Sequence, residues 1–242
     1  MRVCLDGGGF SAGKDKISNR RYRLTKSVPD ATKPIIEISP ELCELAGAII
    51  GNGNLWTDGS RYRVEMTGHP QLDKPYFEHL SAVAYSLFKK KPYPLLVRQR
   101  GLRLRLQSKA AYSLLSELGL PAGKGKSHKV TIPDMILQKG WDFAKWTMRG
   151  IMDTDGTLFF SKKTYDKPIY PTIEIRTCSK MLANQMTTIL QQNDFRARPR
   201  GNKTEGYHVA LYGPKMLECW MKEIGFSNPK HMNKIQARKT FI

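Results

Sequence analysis

The pattern of apolar and polar residues along this chain of 242 residues predicts short strands and amphipathic helices in a regular order. Residues 102–107 alternate leucine with arginine or glutamine, which is typical of a strand with one buried face. Residues 74–90 place apolar side chains at helical spacing instead. The predicted helices are 40–51, 74–90, 109–118, 141–153, 180–192 and 214–224. The predicted strands are 54–58, 61–66, 102–107, 157–162, 171–177, 195–200 and 206–212, with a further strand leading into a hairpin turn at Arg100 and Gly101.

The order helix, two strands, helix, two strands, helix occurs twice. Two pairs of similar sequence segments support a duplication. Gly156 lies 103 residues after Gly53, and Gly225 lies 106 residues after Gly119, with similar flanking sequence in each pair. The chain is therefore predicted to be an α+β protein made of tandem duplicated αββαββα halves related by a pseudo-twofold axis. Each half is expected to pack an antiparallel four-stranded sheet on its helices.

The boundaries of these units follow from composition. Residues 1–33 are rich in glycine, lysine, arginine and serine and are expected to form a basic arm. We expect the first half to span residues 34–133 and to end in a linker rich in glycine, lysine and proline. The second half is expected to span residues 134–242 and to close with a basic tail.

The first pair of repeated segments is Leu45–Gly53 and Met148–Gly156. Each is an apolar helical run that ends on an amide or acidic residue and a glycine. Each segment has two small residues four apart, which are Gly47 and Gly51 and then Gly150 and Thr154. Small residues on one face let two helices approach closely, so Gly47 and Gly150 are expected at a helix interface. The helix ends, with Asn52 and Asp155, would then meet at one point, where acidic groups can hold divalent metal ions.

The net charge points to the partner. Forty lysine and arginine residues against 21 aspartate and glutamate residues give +19, a surplus that favours a polyanion, most often nucleic acid. The four cysteines have no metal-ligand spacing, and reduced thiols in a prokaryotic cytoplasm or an organelle matrix are expected. No apolar stretch has the length of a membrane span, so no membrane partner is expected.

Much of this charge lies on the predicted outward strand faces, where arginine outnumbers lysine. Such residues contact base edges in the DNA major groove or phosphates, and a two-stranded ribbon fits that groove. The alternative is a polar sheet face that is merely solvated, as in most sheets. The predicted DNA-binding residues are Arg61, Arg63, Glu65, Arg98, Arg100, Arg103, Arg105, Gln107, Glu174, Arg176, Arg196, Arg198, Arg200 and His208.

The two motif segments resemble the LAGLIDADG motif of homing endonucleases, and the resemblance covers about residues 34–242. It implies a monomer whose two motif helices form the central interface and whose sheets are saddles along double-stranded DNA. It also implies the activity of an intron-encoded enzyme, Mg²⁺-dependent double-strand cleavage across the minor groove of a long, asymmetric site. Ca²⁺ or Mn²⁺ can replace Mg²⁺ for binding.

The resemblance also assigns roles by position. The metal-binding acids of the motif fall at Asn52 and Asp155, and the carbonyls of Gly51 and Thr154 would be auxiliary ligands. Asp153 occupies the second acid position of the motif, which caps and packs more than it catalyses; the first copy has Ile50 there. The candidate catalytic lysines are the repeat-matched Lys124 and Lys230, with Lys126 and Lys129 as rivals, and ordinary phosphate contact is the alternative role for all of them.

Asn52 departs from the motif because an amide offers an oxygen but no charge, so a Mg²⁺ site there should be weaker. Three explanations are open, namely deliberate inactivation, decay of one half, or a half that tolerates asparagine. This form could therefore be inactive or nick one strand. An RNA-binding intron maturase and a non-cleaving DNA-binding regulator are the alternative functions on the same fold. An endonuclease embedded in an intein is less favoured, since no splicing-domain sequence flanks the repeat.

Overall fold

The structure, a computed structural model, describes residues 36–98, 101–123, 125–163 and 169–239, without the side chains of Arg98 and Lys239. The predicted arm of residues 1–33 lies outside these residues. The helices are α1 (Pro40–Asn52), α2 (Lys74–Phe88), α3 (Lys109–Leu118), α4 (Asp134–Leu137), α5 (Trp141–Asp155), α6 (Lys180–Gln192), α7 (Pro214–Glu223) and α8 (Pro229–Lys239). The strands are β1 (Gly53–Thr57), β2 (Tyr62–Gly68), β3 (Leu96–Arg98), β4 (Gly101–Gln107), β5 (Gly156–Ser161), β6 (Tyr170–Thr177), β7 (Arg198–Asn202) and β8 (Gly206–Tyr212).

Two four-stranded antiparallel sheets have the same strand order. Sheet A is β1-β2-β4-β3, and sheet B is β5-β6-β8-β7. Each sheet follows a long helix directly, since β1 begins one residue after α1 and β5 begins one residue after α5. The α+β class and the tandem duplication predicted from the sequence are therefore confirmed.

Local sequence explains where α1 begins. The Ser39 hydroxyl accepts a hydrogen bond from the Leu42 N–H at 3.2 Å, Pro40 occupies the first turn, and Glu41 lies beside the positive helix end. All nine residues from Leu42 to Ile50 are buried, as expected of a helix at the centre of a core.

The two long helices α1 and α5 cross where both have glycine. A methyl group on Gly47 would collide with the carbonyl oxygen of Thr147 and lie 3.1 Å from the Cα of Gly150. A methyl group on Gly150 would collide with the carbonyl oxygen of Glu44 and lie 2.7 Å from the nitrogen of Ala48. The obstacles are backbone atoms, which cannot rotate away as side chains can.

Several elements differ from the sequence-based expectation, among them the short helix α4, which lies between the linker and the helix predicted at 141–153. Strand β7 begins at Arg198, so Arg196 precedes it; the flanking Phe195 and Ala197 are buried, and the Arg196 N–H donates to the sulfur of Met216 at 3.1 Å. The predicted basic tail is in fact helix α8. Its wholly buried residue is His231, which is polar, so the apolar periodicity that reveals other helices is missing.

The helix crossing leads to a prediction about stability. Replacing Gly150 with leucine should lower the free energy of unfolding by about 3 kcal/mol or more, because overpacking usually costs about 1–3 kcal/mol and here the obstacles are backbone. Urea denaturation measures the change. The matched control is Ala82→Leu on the exposed side of α2, where we expect a change within about 0.5 kcal/mol. Equal stability of the two variants would show that the helices do not touch at Gly150.

Candidate functional site

The C-terminal ends of α1 and α5 meet at one point. A methyl group on Gly51 would collide with the hydroxyl of Thr154 and lie 3.4 Å from the carboxyl carbon of Asp155. Asn52 at the end of α1 is exposed, and Asp155 at the end of α5 is half-buried. Helix C-termini carry partial negative charge on their free carbonyls, so two converging ends form a place that attracts cations.

Burial governs the charge of Asp155. Removal of the carboxyl group from water raises its pKa to about 6, while the ammonium groups of Lys126 and Lys230 act in the opposite direction. The Asp155 carboxyl group is therefore partly desolvated and feels the charge of two lysines, one from the linker and one from α8. The two lysines together do not cancel the effect of desolvation, so the pKa of Asp155 stays above its ordinary value.

Lys126 reaches the end of α1 from the linker between the halves. Its Nζ donates to the carbonyl oxygen of Ile49 at 2.8 Å, and burial lowers its pKa to about 8 while Asp155 opposes that change. The rival Lys129 is exposed nearby in the chain, and Lys124 lies outside the described residues. Among the linker lysines that the structure describes, Lys126 is therefore the one brought to Asp155.

Lys230 reaches the same point from the first turn of α8. Its Nζ is 3.0 Å from Oδ1 of Asp73, which belongs to the residue just before α2. Only 14% of the Lys230 side chain is exposed, so the ammonium group is held and not freely solvated.

Asp153 holds the start of α8 in place. Its Oδ2 accepts hydrogen bonds from the N–H groups of Ser227 at 2.7 Å and Asn228 at 3.1 Å. Burial raises its pKa to about 7 despite these two bonds, which lower it. His231 lies 3.7 Å from the carboxyl group, but burial and the nearby lysines lower its pKa to about 3, so it is neutral. At the matching position of α1, Ile50 is simply buried.

A cleft of about 330 Å³ opens beside the helix ends. Gly51 and Asp155 form part of its wall, with Arg176 from β6, Glu205 from the turn between β7 and β8, and Ser127 from the linker. The cleft therefore combines the desolvated carboxylate with an exposed guanidinium, and it places β6 of sheet B next to the helix junction.

In sheet A the predicted residues face one side together. Glu65 lies opposite Arg105 and accepts from its Nε at 2.6 Å, and Arg103 is 3.6 Å from the same carboxylate. Gln107 accepts from the hydroxyl of Tyr93 at 3.0 Å. Arg63 lies over the ring of Trp56, with 4.7 Å between guanidinium carbon and ring centroid. This face is thus an ordered network and not a set of free side chains.

The remaining predicted residues of the first half lie at the margin. Arg61 precedes β2 and pairs with Asp58 at 2.7 Å in the hairpin turn. Arg98 ends β3, but its side chain lies outside the described part, as does Arg100 altogether.

Sheet B presents a corresponding polar face. Glu174 and Arg176 on β6 alternate with the buried Ile173 and Ile175, and His208 is 3.1 Å from the Glu174 carboxylate. Arg198, Arg200 and Arg196 are exposed, the last outside the strand. The arginine side chains of this face are therefore more exposed than Arg103 and Arg105 in sheet A.

Sequence reasoning missed several residues of this surface and site. Trp56 lies opposite Arg63 in the β1–β2 register, and Tyr212 lies under Arg200 at 5.2 Å. The hairpin register could have indicated Trp56, because paired residues share a face. Asp73 and Asn228 have no local signal, since they are 155 residues apart and meet only through the fold.

The donor set at the helix junction fits a hard divalent cation of modest affinity. Oxygen atoms are available from the Asp155 carboxylate, the Asn52 amide and the carbonyls of Gly51 and Thr154, and Mg²⁺ and Ca²⁺ prefer oxygen. A single carboxylate supplies the formal charge. Within the described residues, no group of three or more histidine, cysteine, aspartate or glutamate side chains is arranged to hold a metal. Further ligands would have to come from water or a bound phosphate.

The fold with two helices joined at their C-terminal ends is similar to that of several solved structures. The structure matches the homing endonuclease I-DmoI in complex with DNA and Ca with a TM-score of 0.59 at 18% identity, over 84% of this chain and all of that one. It matches the homing endonuclease I-WcaI bound to its DNA recognition sequence with a TM-score of 0.58 at 15% identity, over 83% and 88% of the two chains. The LAGLIDADG domain of DUF199/WhiA matches with a TM-score of 0.52 at 10% identity, over 81% of this chain and 88% of that one. The chain thus has the LAGLIDADG fold that the sequence resemblance implies.

Two curated relatives match most of this chain. A replication factor C small subunit of Thermococcus kodakarensis is 29% identical over 86% of this chain, and that of Methanocaldococcus jannaschii is 26% identical over 91%. The chain spans only 22% and 11% of the lengths of these relatives. No protein-family model matches the sequence. In the described residues, no helix is long and apolar enough to cross a membrane.

The electrostatics of Asp155 lead to a prediction about pH. Its pKa in the folded chain, about 6, exceeds the ordinary value of 3.8, so the folded chain binds this proton more tightly than the unfolded chain. Ionisation of Asp155 therefore costs stability increasingly as pH rises from about 4 through about 6. We expect Asp155→Asn to be more stable than the wild type at about pH 7.5 and similar to it at about pH 4, as measured by urea denaturation.

The control for this experiment is Asp142→Asn in the first turn of α5, where 83% of the aspartate side chain is exposed. Its effect should not have the same pH dependence. A stability difference between Asp155→Asn and the wild type that is constant with pH would contradict the assigned desolvation.

Proposed function

We propose that this protein is a site-specific DNA endonuclease that uses a divalent metal ion. The observation that carries the proposal is the contact of the α1 and α5 ends at Gly51, Thr154 and Asp155, where the charges of Lys126 and Lys230 act on the Asp155 carboxyl group. The two sheets that follow these helices have polar faces that carry arginine. The homing endonucleases with the same fold were solved with DNA and with Mn, Ca or Mg. The shared segment is a small part of the replication factor C relatives, so their role is not carried over.

The proposed target is one duplex contacted by both sheets. A chain with two sheets of the same topology needs no second copy to supply two half-sites, so a monomer is sufficient. The arginine, glutamate, glutamine and histidine side chains of the two polar faces match the donors and acceptors of major-groove base edges and phosphates. The halves are not identical in sequence, which favours an asymmetric target.

The chemistry follows from what stands at the junction. Asp155 and the Gly51 and Thr154 carbonyls, with the Asn52 amide, would hold Mg²⁺, which when bound supplies a water of lowered pKa and charge stabilisation for phosphodiester hydrolysis. Lys126 and Lys230 stand where positive charge can offset negative charge developing on the phosphate. Partial burial of the Asp155 carboxyl group strengthens these interactions because the local dielectric is lower than that of water.

Asn52 makes the site unequal. The end of α5 offers a carboxylate, and the end of α1 offers only an amide, so metal held near the first half would be bound more weakly. We infer that the chain with Asn52 binds its target well but cuts it slowly, cuts one strand in preference, or does not cut it at all.

The same residue favours a second candidate function. A protein that binds nucleic acid without cutting it, either an RNA-binding intron maturase or a DNA-binding regulator, has no need for both motif acids. Binding to duplex DNA and to structured intron RNA at matched salt separates these functions. Tighter binding to the RNA would favour the maturase.

The arginine-bearing face of sheet A generates a prediction about binding. Replacing both Arg103 and Arg105 with alanine should weaken DNA binding strongly, and each lost phosphate contact should lower the salt slope by about 0.9. Residues that contact bases would relax specificity instead, with little change in slope. Titrations at several salt concentrations measure both quantities. The control with the same charge change is Lys215→Ala with Lys222→Ala on α7; equal losses in the two double variants would reject the assignment.

The decisive experiment concerns Asn52. A supercoiled plasmid that carries the insertion site of the gene's own intron, with the intron removed, is incubated with Mg²⁺ and each variant. We expect Asn52→Asp to raise cleavage by orders of magnitude with a modest change in affinity, because the added carboxylate acts on the reaction more than on docking. Asp155→Asn in that background should abolish cleavage again.

Two controls complete this test. Asn52 precedes Gly53, and asparagine before glycine deamidates, so aged samples must be checked by mass spectrometry for aspartate at position 52. If Asn52→Asp binds the plasmid tightly and never nicks or linearises it, the endonuclease proposal gives way to the non-cleaving function.

A further inference from the structure

We propose that Asp73 and Asn228 form a clamp between the two halves that positions the ammonium group of Lys230, one of the candidate catalytic lysines. This proposal rests on the proposed function, because it assigns a positioning role toward a lysine of that site. Asp73 precedes α2 in the first half, and Asn228 and Lys230 flank the start of α8 in the second half.

Three polar groups converge on the Asp73 carboxylate. Its Oδ1 accepts from the side-chain amide of Asn228 at 2.8 Å and from Nζ of Lys230 at 3.0 Å. Its Oδ2 accepts from the backbone N–H of His69 at 2.7 Å. One carboxylate oxygen of Asp73 therefore bonds to its own loop, and the other oxygen bonds to the second half of the chain.

Asp73 is itself held rigidly. The loop closes on itself, because the Asp73 N–H donates to the carbonyl oxygen of His69 at 3.1 Å. The end of β2 packs so closely that a methyl group on Gly68 would lie 2.8 Å from Oδ2 of Asp73. The carboxylate is therefore a fixed point attached to sheet A.

Asn228 extends the clamp to the central helix. Its side-chain amide also donates to the carbonyl oxygen of Asp153 at 3.0 Å, and its own side-chain oxygen accepts from the N–H of Lys230 at 3.1 Å. Asn228 is wholly buried. One buried residue therefore ties together α5, the loop before α2 and the backbone of the lysine itself.

The clamp matters because a lysine side chain is long and flexible. Charge-assisted hydrogen bonds of this kind fix a group that otherwise samples many rotamers. Lys126 has no such carboxylate partner in the described structure and donates to the Ile49 carbonyl oxygen instead. The two candidate lysines are thus held by different means, and only Lys230 is held by a contact across the halves.

The first arm of the test needs no activity. The full chain is acylated with acetic anhydride at about pH 8, and the labelling rate of Lys230 is followed by peptide mass spectrometry. We expect Asp73→Asn to raise that rate about tenfold, the effect of losing one charge-assisted hydrogen bond. Asn228→Ala keeps the charge of Asp73 and should raise the labelling rate of Lys230 less. This variant replaces Asp73→Asn in the experiment if Asp73→Asn does not fold.

The matched control is Asp142→Asn, since Asp142 is 3.0 Å from Lys145, the same distance as in the clamp. This variant should change labelling of Lys145 and leave that of Lys230 unaltered. An unchanged labelling rate of Lys230 in both Asp73→Asn and Asn228→Ala would overturn the clamp.

The second arm measures single-turnover cleavage at saturating enzyme in a double-mutant cycle of Asp73→Asn and Lys230→Met, made in the Asn52→Asp chain. If Asp73 acts through Lys230, Asp73→Asn slows cleavage on its own and has no further effect once Lys230 is methionine. An equal slowing in both backgrounds would mean that Asp73 only stabilises the fold and would overturn the positioning role. If no form of the chain cuts DNA, the proposed function fails and the positioning role fails with it, whereas the labelling rates still report whether the contact exists.

Discussion

The close crossing of α1 and α5 is the constraint on which the rest of the structure depends. Both helices have glycine at the crossing, and a Cβ atom on either would meet backbone of the other. Each helix passes directly into the first strand of a sheet, with the N–H of Gly53 bonded to Ile49 and that of Gly156 bonded to Met152. The crossing therefore sets the separation of both sheets as well as the position of the helix ends.

This constraint has an electrostatic cost that the structure offsets locally. Two converging helix C-termini concentrate partial negative charge, and the half-buried Asp155 adds to it. The lysines that approach from the linker and from α8 supply positive charge at that point, at the expense of their own solvation. Deeper in the structure, burial raises the pKa of Asp153 to about 7 in spite of its hydrogen bonds. A centre built this way is suited to binding cations and anionic phosphates more than to maximal stability.

Much of the fold could be predicted because the apolar and polar periodicity of each short segment indicates whether it forms a helix or a strand. The alternation in residues 102–107 predicts a strand, and the apolar runs at helical spacing predict helices. The structure has these types of element at these places, so contacts with distant residues do not change them. The paired glycines indicated the helix interface, and the fold comparison confirms the architecture. Helix α8 could not be predicted in this way, since its wholly buried side chain is His231 and its start is held by Asp153 from another element. Contacts such as Asp73 with Lys230 depend on the register of two halves and leave no trace in sequence spacing.

The two halves have kept one geometry while their chemistry has diverged. Sheet order and helix crossing are the same on both sides, yet the second half carries Asp153 and Asp155 where the first has Ile50 and Asn52. A buried Ile50 needs no polar partners, so nothing in the first half has to correspond to the Asn228 network. Because the backbone positions are already matched by the crossing, a change of one side chain at the end of α1 can alter the chemistry without any rebuilding of the fold. The symmetry of the scaffold is thus what allows the asymmetry of the site.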